Sequence, residues 1–439
     1  MTSMPEALVL GHICSKIGSG ATPKGGKEVY LASGPYALIR SQNVLNDGFS
    51  NNGLAYISER QAKALDGVTV EPGDVLLNIT GDSVARVCQA PKSALPARVN
   101  QHVAIIRPRP DVLDPSFLRY FLVSPEQQTL LLTLASSGAT RNALTKGMIK
   151  QIEVPAVLIE EQKQIARILG SLDDHIDHNQ ALAANLEAIA RRLFKSWFVD
   201  FDPVRAKAAG EKPTSLADDI AVLFPDRFVD SEIGEVPEGW GYRSLAAVAS
   251  LNPDAWTTRK HPDSVNYIDL SNVKNGLIEI ATKYMWESAP SRARRVLRIG
   301  DTIVGTVRPG NCSFAFVDHD GLTGSTGFAV LRPTRKTYRE FLYFAATSDD
   351  AIDRLAHFAD GAAYPAVRSD VVLATEIAIP SDAVMNKFSE VTRRVIDRAS
   401  VCKREAVVLA HIRDILLPRL ISGEIRVSDA HKQIEEALG

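Results

Sequence analysis

Cysteine is scarce in this chain: four in 439 residues, Cys14, Cys88, Cys312 and Cys402. No two form a C-x-x-C pair, which excludes a zinc ribbon and a thioredoxin-type site. A chain of this length buries its own core without disulfides, so free and mostly buried thiols are expected. Long hydrophobic runs are also missing. Val371–Ala374 and Val407–Ala410 fall far short of the roughly 18–20 residues a membrane helix needs. The first residues, Met1–Glu6, have neither a basic stretch nor an apolar core of the secretory kind. The expectation is a cytoplasmic protein without a membrane partner. Charge of one sign is lacking overall, the formal net charge being −2. The acidity is concentrated in residues 156–239, which carry 9 Lys and Arg against 16 Asp and Glu, whereas residues 1–155 carry 15 against 12. The near-neutral total therefore does not argue against a nucleic-acid partner.

Catalytic motifs are missing as well. Ala21–Glu28 resembles a phosphate loop, but Ala21 stands at the first glycine position and Glu28 where a Mg²⁺-holding Ser or Thr belongs. Pro110-Asp111 and Glu161-Gln162-Lys163 are about fifty residues apart, too far to read as one nuclease signature. Glu160 and Glu161 fit the first turn of a helix, where acidic side chains favour the dipole. Asn252-Pro253-Asp254-Ala255 lacks the second proline and the aromatic ring of an adenine-methyltransferase motif. There is no Gly-x-Ser-x-Gly elbow and no His-Glu-x-x-His. No metal-ligand or catalytic residue is assigned.

What is present is a long internal repeat. Tyr36–Val44 resembles Val265–Val273, and Glu71–Leu77 resembles Arg298–Val304. Val103–Pro108 resembles Phe328–Pro333, and Ile152–Pro155 resembles Ile377–Pro380. The spacing is roughly 223–229 residues, far longer than any solenoid period. Gly73-Asp74 and Gly300-Asp301 each read as a turn entering a strand. A helical stretch follows each closing proline, over 160–198 and 385–421. Apolar residues recur every seven at 165, 172, 186 and 193, and at 388, 395, 409 and 416. A second series at +3 places His175 in one seam and Arg398 and Glu405 in the other, with Asn179 in the first series. Such helices pair most simply with each other, antiparallel, their polar centres fixing register at a cost in stability. The expected fold is mixed α/β (α+β): two similar globular domains and two long helices forming an antiparallel coiled coil, related by an approximate internal twofold. The expected boundaries are 1–155 and 237–380 for the globular domains, 156–236 for the central helix and its acidic, proline-containing connector, and 381–439 for the distal helix.

Several stretches resemble the specificity (S, HsdS) subunits of type I restriction–modification systems. They are Glu160–Leu169 with Leu172-Asp173-Asp174, Leu193–Arg205, Gly234–Trp240 and Leu417–Ile425. The resemblance covers nearly the whole chain. It implies that the globular parts are target recognition domains, each reading one half of a bipartite, asymmetric DNA sequence. It further implies that the helices set the spacer and dock two methyltransferase subunits, that motor-nuclease subunits join them, and that the subunit has no catalysis of its own. S-adenosylmethionine, ATP and Mg²⁺ would then belong to the partner subunits and no cofactor to this chain. Two departures stand out: the second repeat lacks a counterpart of the Phe201–Val236 connector, and Met4–Leu8 is only a shortened form of the Pro-Glu-Gly-Trp entry.

Residues matched between repeats, Gly73/Gly300, Asp74/Asp301, Arg107/Arg332 and Pro108/Pro333, are expected to be scaffold. Polar positions that differ are the candidates for DNA contact, since direct readout needs Arg, Lys, Asn, Gln, Ser or Thr at base edges. They are Arg40, Gln42, Asn78, Thr80, Arg141 and Asn142 in the first domain, and Ser271, Asn272, Thr306, Arg308 and Asn311 in the second. Arg292-Ala293-Arg294-Arg295 reads as a phosphate-contacting or merely solvated basic cluster. The competing function is a non-catalytic scaffold whose two domains bind protein. Salt-dependent duplex binding separates the two.

Overall fold

The matched Gly-Asp turns organise each half of the chain. Gly73 and Gly300 both take left-handed backbone, φ +87° and +90°, which glycine adopts without the Cβ penalty. The following aspartates, Asp74 and Asp301, are fully buried and each meets the matched arginine in a two-pronged pair. Arg107 Nε and Nη2 donate to the Asp74 carboxylate at 2.7 and 2.9 Å. Arg332 donates to Asp301 at 2.8 Å through both nitrogens. The same carboxylates accept the backbone N–H of Glu71 (2.7 Å) and of Arg298 (2.9 Å), closing the turns. These four residues are scaffold, as the repeat implies.

The computed structural model describes residues 7–137, 142–214, 216–359 and 365–438. The chain forms two compact units, residues 1–175 with 408–439 and residues 176–407. In the first, strands Cys14–Ser19, Val103–Pro108, Val75–Asn78 and Val87–Gln89 make an antiparallel sheet in that order. A second sheet runs Ala55–Ile57, Tyr36–Ile39, Ala97–Val99, Thr69–Val70, with a single parallel pair between Tyr36–Ile39 and Ala97–Val99. The second unit repeats both orders: Ala249–Leu251, Phe328–Pro333, Thr302–Gly305, Phe314–Phe316, and Thr282–Met285, Ser264–Ile268, Leu322–Ser325, Ala293–Val296. The single parallel pair recurs there, between Ser264–Ile268 and Leu322–Ser325. Alternate residues of facing strands fill each core: Ile39, Leu76, Val99 and Ile105 in one unit, Ile268, Ile303, Leu322 and Val330 in the other. Val75–Leu77 and Val103–Ile106 are buried on both faces, which is why they are unbroken apolar runs. Ile152–Pro155 and Ile377–Pro380 supply the closing strands, Glu153–Pro155 paired with Ala7–Val9 and Glu376–Ile379 paired with Gly241–Ser244.

The long helices span Ile159–Phe198 and Asp382–Ile421. Acidic Glu160 and Glu161 occupy the first turn of the first one. The neighbouring Gln162 is fully buried, accepting from Asp114 N (2.9 Å) and donating to the carbonyls of Val112 (3.2 Å) and Val157 (2.8 Å). The two helices pack antiparallel within each unit. In the first, Asp173 meets Arg413 at 2.8 Å. In the second, Lys403 pairs with Glu187, while Phe194 and Phe198 meet Phe388 at 6.1 and 4.9 Å between ring centroids. The second series of the seam is shifted by one residue from the expected phase. Leu169, Leu172 and Ile176 are buried, as are Ala183, Ala190 and Trp197, and Thr392, Ala399 and Ala406 on the partner helix. His175, Arg398 and Glu405 are exposed, so they are not seam polars; Asn179, half-buried, is the one that remains. The cause is local. Ile168 and Leu169 are both apolar, so the pattern alone allows a +3 or a +4 step. The methyl-sized Ala183, Ala190, Ala399 and Ala406 let the backbones close along the +4 series.

The connector is a packed part of the second unit. It holds helices Asp202–Ala208 and Asp218–Ala221 and a hairpin of Phe228–Ser231 with Gly234–Pro237. Trp197, Phe198, Phe201, Phe224 and Trp240 form one aromatic core there with Phe341 and Phe388. Leu193–Arg205 and Gly234–Trp240 are thus core-forming motifs. The cysteines are free, and burial pushes the Cys88 thiol up to about 12. Among the described residues no helix is long and apolar enough to cross a membrane.

Candidate nucleic-acid interface

Most of the described candidates lie at or just after strand ends: Arg40 and Gln42 after Tyr36–Ile39, Asn78 and Thr80 at the end of Val75–Asn78, Ser271 and Asn272 after Ser264–Ile268, and Thr306, Arg308 and Asn311 after Thr302–Gly305. In the first unit, strand Val75–Asn78 runs into a tight loop through Gly81 (φ +78°) and Ala85 (φ +72°). The loop is closed by Asn78 N to Arg86 O (2.8 Å) and Ala85 N to Asn78 O (2.9 Å). A non-glycine residue at positive φ is the kind of strain that collects at functional loops. Asn78 is fully buried, and its amide donates to Ser41 O at 2.9 Å. It ties two loops together and does not face outward. Arg40 and Gln42 fold back on the turn at Gly53: both donate to the Gly53 carbonyl, Gln42 at 3.1 Å. The Arg40 guanidinium also lies 5.2 Å from the Tyr30 ring centroid. Thr80 hydrogen-bonds His102 Nδ1, and the exposed Asn142 accepts Gly81 N through its carbonyl at 3.4 Å. Thr80, Asn142 and the 100–102 turn are therefore brought together. Arg141 lies outside the described residues.

In the second unit, Asp269 accepts from Ser271 N (2.8 Å) and Oγ (2.6 Å), while Asn272 Oδ1 accepts from Asp269 N (3.1 Å). Asn43 makes the same bond to Arg40 N at 3.0 Å. Asn272 is thus a cap shared by the two repeats, and the alignment of Asn43 with Asn272 already places it with the scaffold. Thr306 is buried, and its hydroxyl donates to Gly327 O at 2.8 Å. The outward candidates are Arg308 and Asn311, both exposed. They belong to a turn flanked by Arg308 (φ +48°) and Cys312 (φ +57°), with Arg308 N bonded to Pro365 O at 2.7 Å.

The basic cluster 292–295 does not act as one patch. Ala293 is buried and Arg292 exposed. The Arg294 guanidinium sits 4.5 Å from the centroid of Trp286, on which His261 also stacks at 4.2 Å. Burial lowers the pKa of the half-buried Arg295. Two further residues, Gln101 and His102, lie beside Thr80 at the same end of the sheet, and Gln101 Nε2 lies 2.9 Å from His102 Nε2. Their signal in the sequence is a mismatch: Asn100-Gln101-His102 precedes the matched strand where the second repeat has Ser325-Thr326-Gly327.

Residues 9–188 match the family described as the type I restriction modification DNA specificity domain. Among curated proteins, the chain is 23% identical to the HindI specificity subunit of Haemophilus influenzae, over 88% of this chain and 94% of that one. It is 22% identical to the MjaIX specificity subunit of Methanocaldococcus jannaschii, over 94% and 92%. Among solved structures, the type I restriction–modification S subunit from M. genitalium shares the fold, with a TM-score of 0.58 at 15% identity, covering 96% of this chain and 97% of that one. The resemblance read from the sequence is borne out along nearly the whole chain.

Proposed function

We propose that this chain, which carries the type I DNA specificity domain and resembles type I specificity subunits, is the DNA-reading subunit of a type I restriction–modification complex. Each sheet-rich domain reads one half of a bipartite, asymmetric target. The long helices set the spacer and dock two methyltransferase subunits, which motor-nuclease subunits join. Catalysis, with its S-adenosylmethionine, ATP and Mg²⁺, belongs to those partners.

One observation carries the reading. The two strand orders are the same in both units, yet the loops they present differ: Thr80, Gln101, His102 and Asn142 in one, Val307, Arg308 and Asn311 in the other. A shared frame with divergent polar loops suits two readers of different sequences. Of the candidate contacts, the exposed Asn142, Arg308 and Asn311 are the ones this reading assigns to DNA, with Thr80 beside them. Arg40, Gln42 and Ser271 flank them, and Asn78, Asn272 and Thr306 hold the loops.

The test is duplex binding by the full chain with its methyltransferase subunits across a salt series, followed by sequencing of the methylated DNA. The expected results are a steep loss of affinity with salt, from release of counterions, and a two-part motif. Binding that is absent or indifferent to salt would favour a protein-binding scaffold.

A further inference from the structure

One turn is built the same way in both units and displays different side chains. Asn100 Oδ1 accepts His102 N at 3.0 Å, and Ser325 Oγ accepts Gly327 N at 3.1 Å. The next strand begins directly after each, and each turn's last carbonyl accepts an equivalent N–H: Ile79 N to His102 O (2.9 Å) and Thr306 N to Gly327 O (2.8 Å). His102 and Gly327 are thus the same position. In the second unit a Cβ at Gly327 would press on Leu270 Cδ1 at 2.5 Å, whereas the residue aligned with Leu270 in the first is the smaller Ser41. The first domain thus has the more open space for a ring there.

That ring is held at both nitrogens. Gln101 Nε2, an amide donor, faces His102 Nε2 at 2.9 Å, and Thr80 Oγ1 meets Nδ1. A ring nitrogen that accepts from an amide carries no proton, so in the neutral ring the proton is on Nδ1 and is donated to Thr80. Gln101 itself is exposed. One of its two amide N–H groups is spent on His102. That leaves the other N–H, together with Oε1 on the same amide, as a donor–acceptor pair for a partner. That pair matches adenine in the major groove, which offers N7 as acceptor and the N6 amino group as donor.

Resting on the DNA-reading function above, we propose that Gln101 is a base-reading residue of the first domain, specific for adenine, and that His102 and Thr80 position its amide. The test uses the full chain co-expressed with its methyltransferase subunit, the methylated motif being read for wild type, Gln101→Ala and His102→Ala. Gln101 is exposed, so its truncation leaves the fold intact. Gln101→Ala is expected to loosen one A·T position of one half-site, discrimination there falling about 5- to 150-fold. His102→Ala should loosen the same position by less. The other half-site and the spacer should be unchanged, which a merely structural defect would not achieve. A wild-type motif untouched by Gln101→Ala, or loosened at a G·C position, overturns the inference alone. No methylated motif from wild type, together with no salt-dependent duplex binding, overturns the DNA reading and this inference with it.

Discussion

The buried carboxylates decide most at the scale of single residues. Asp74 and Asp301 are each held by a two-pronged arginine and a turn N–H. The side-chain bond from Asp74 lifts the Arg107 guanidinium above its ordinary value. Removing one partner of such a pair leaves a charge in a place built for two. Asp301→Asn should therefore destabilise the second unit by about 3–5 kcal/mol, read by urea unfolding; a loss below about 1 kcal/mol would show the pair to be decoration. Asp173 is a different case. Burial alone would raise its carboxyl, but Arg119, Arg413 and Tyr120, at 2.6, 2.8 and 2.7 Å, outweigh it and hold it below the usual range. A depressed folded pKa gives stability that is present above the unfolded carboxylate range and is lost as pH falls through the folded value. Glu340 has the opposite sign: burial raises it despite Arg339 and Ser389. Its contribution is present at low pH and is lost as pH rises through its folded value. Amide exchange should show helix Pro115–Val123 losing protection as pH drops below about 4, and Asp173→Asn should flatten that loss. An acid response unchanged in Asp173→Asn would place the sensitivity elsewhere.

Among the elements, the two long helices are the most informative. Their sevenfold apolar recurrence is plain in the sequence, and so is their length. The phase of the second series is not, because Ile168 and Leu169 serve either step equally. The packing chooses the +4 series, with alanines where the helices approach. Ala399→Leu, at a fully buried position, should thus overpack the seam and cost about 1–3 kcal/mol. His175→Ala, at an exposed position, should stay within about 0.5 kcal/mol of wild type. Thermal unfolding of both variants distinguishes this seam from one centred on His175, which would give the reverse ranking.

For the whole molecule, the proposed function makes the two readers separable and the helices a ruler. Exchanging residues 240–380 for the equivalent domain of a relative should change one half of the methylated motif and leave the other as it was. Inserting four residues near the middle of the first long helix adds about one turn, or 6 Å. It should lengthen the spacer by about one to two base pairs at 3.4 Å each, or abolish binding if the seam does not re-register. Both half-sites should persist in whatever activity remains. A rewritten half-site with an unchanged spacer would make the helices readers and sink this division of labour.

The sequence by itself determined the internal repeat, the glycine-led turns, the matched Asp and Arg scaffold positions, the two long helices and the family resemblance. All of these rest on local spacing or on recurrence at matched positions, which a linear string records directly. Tertiary structure alone decided which polar residues face outward. Asn78 and Thr306 look like contact residues by type and position, yet burial turns them into loop ties. Gln101 and His102 sit inside a short mismatch that carries no periodicity. Their role depends on Thr80, some twenty residues away, reaching the same ring, and only the pairing of neighbouring strands, which brings two loops to one end of the sheet, sets those atoms within hydrogen-bonding distance.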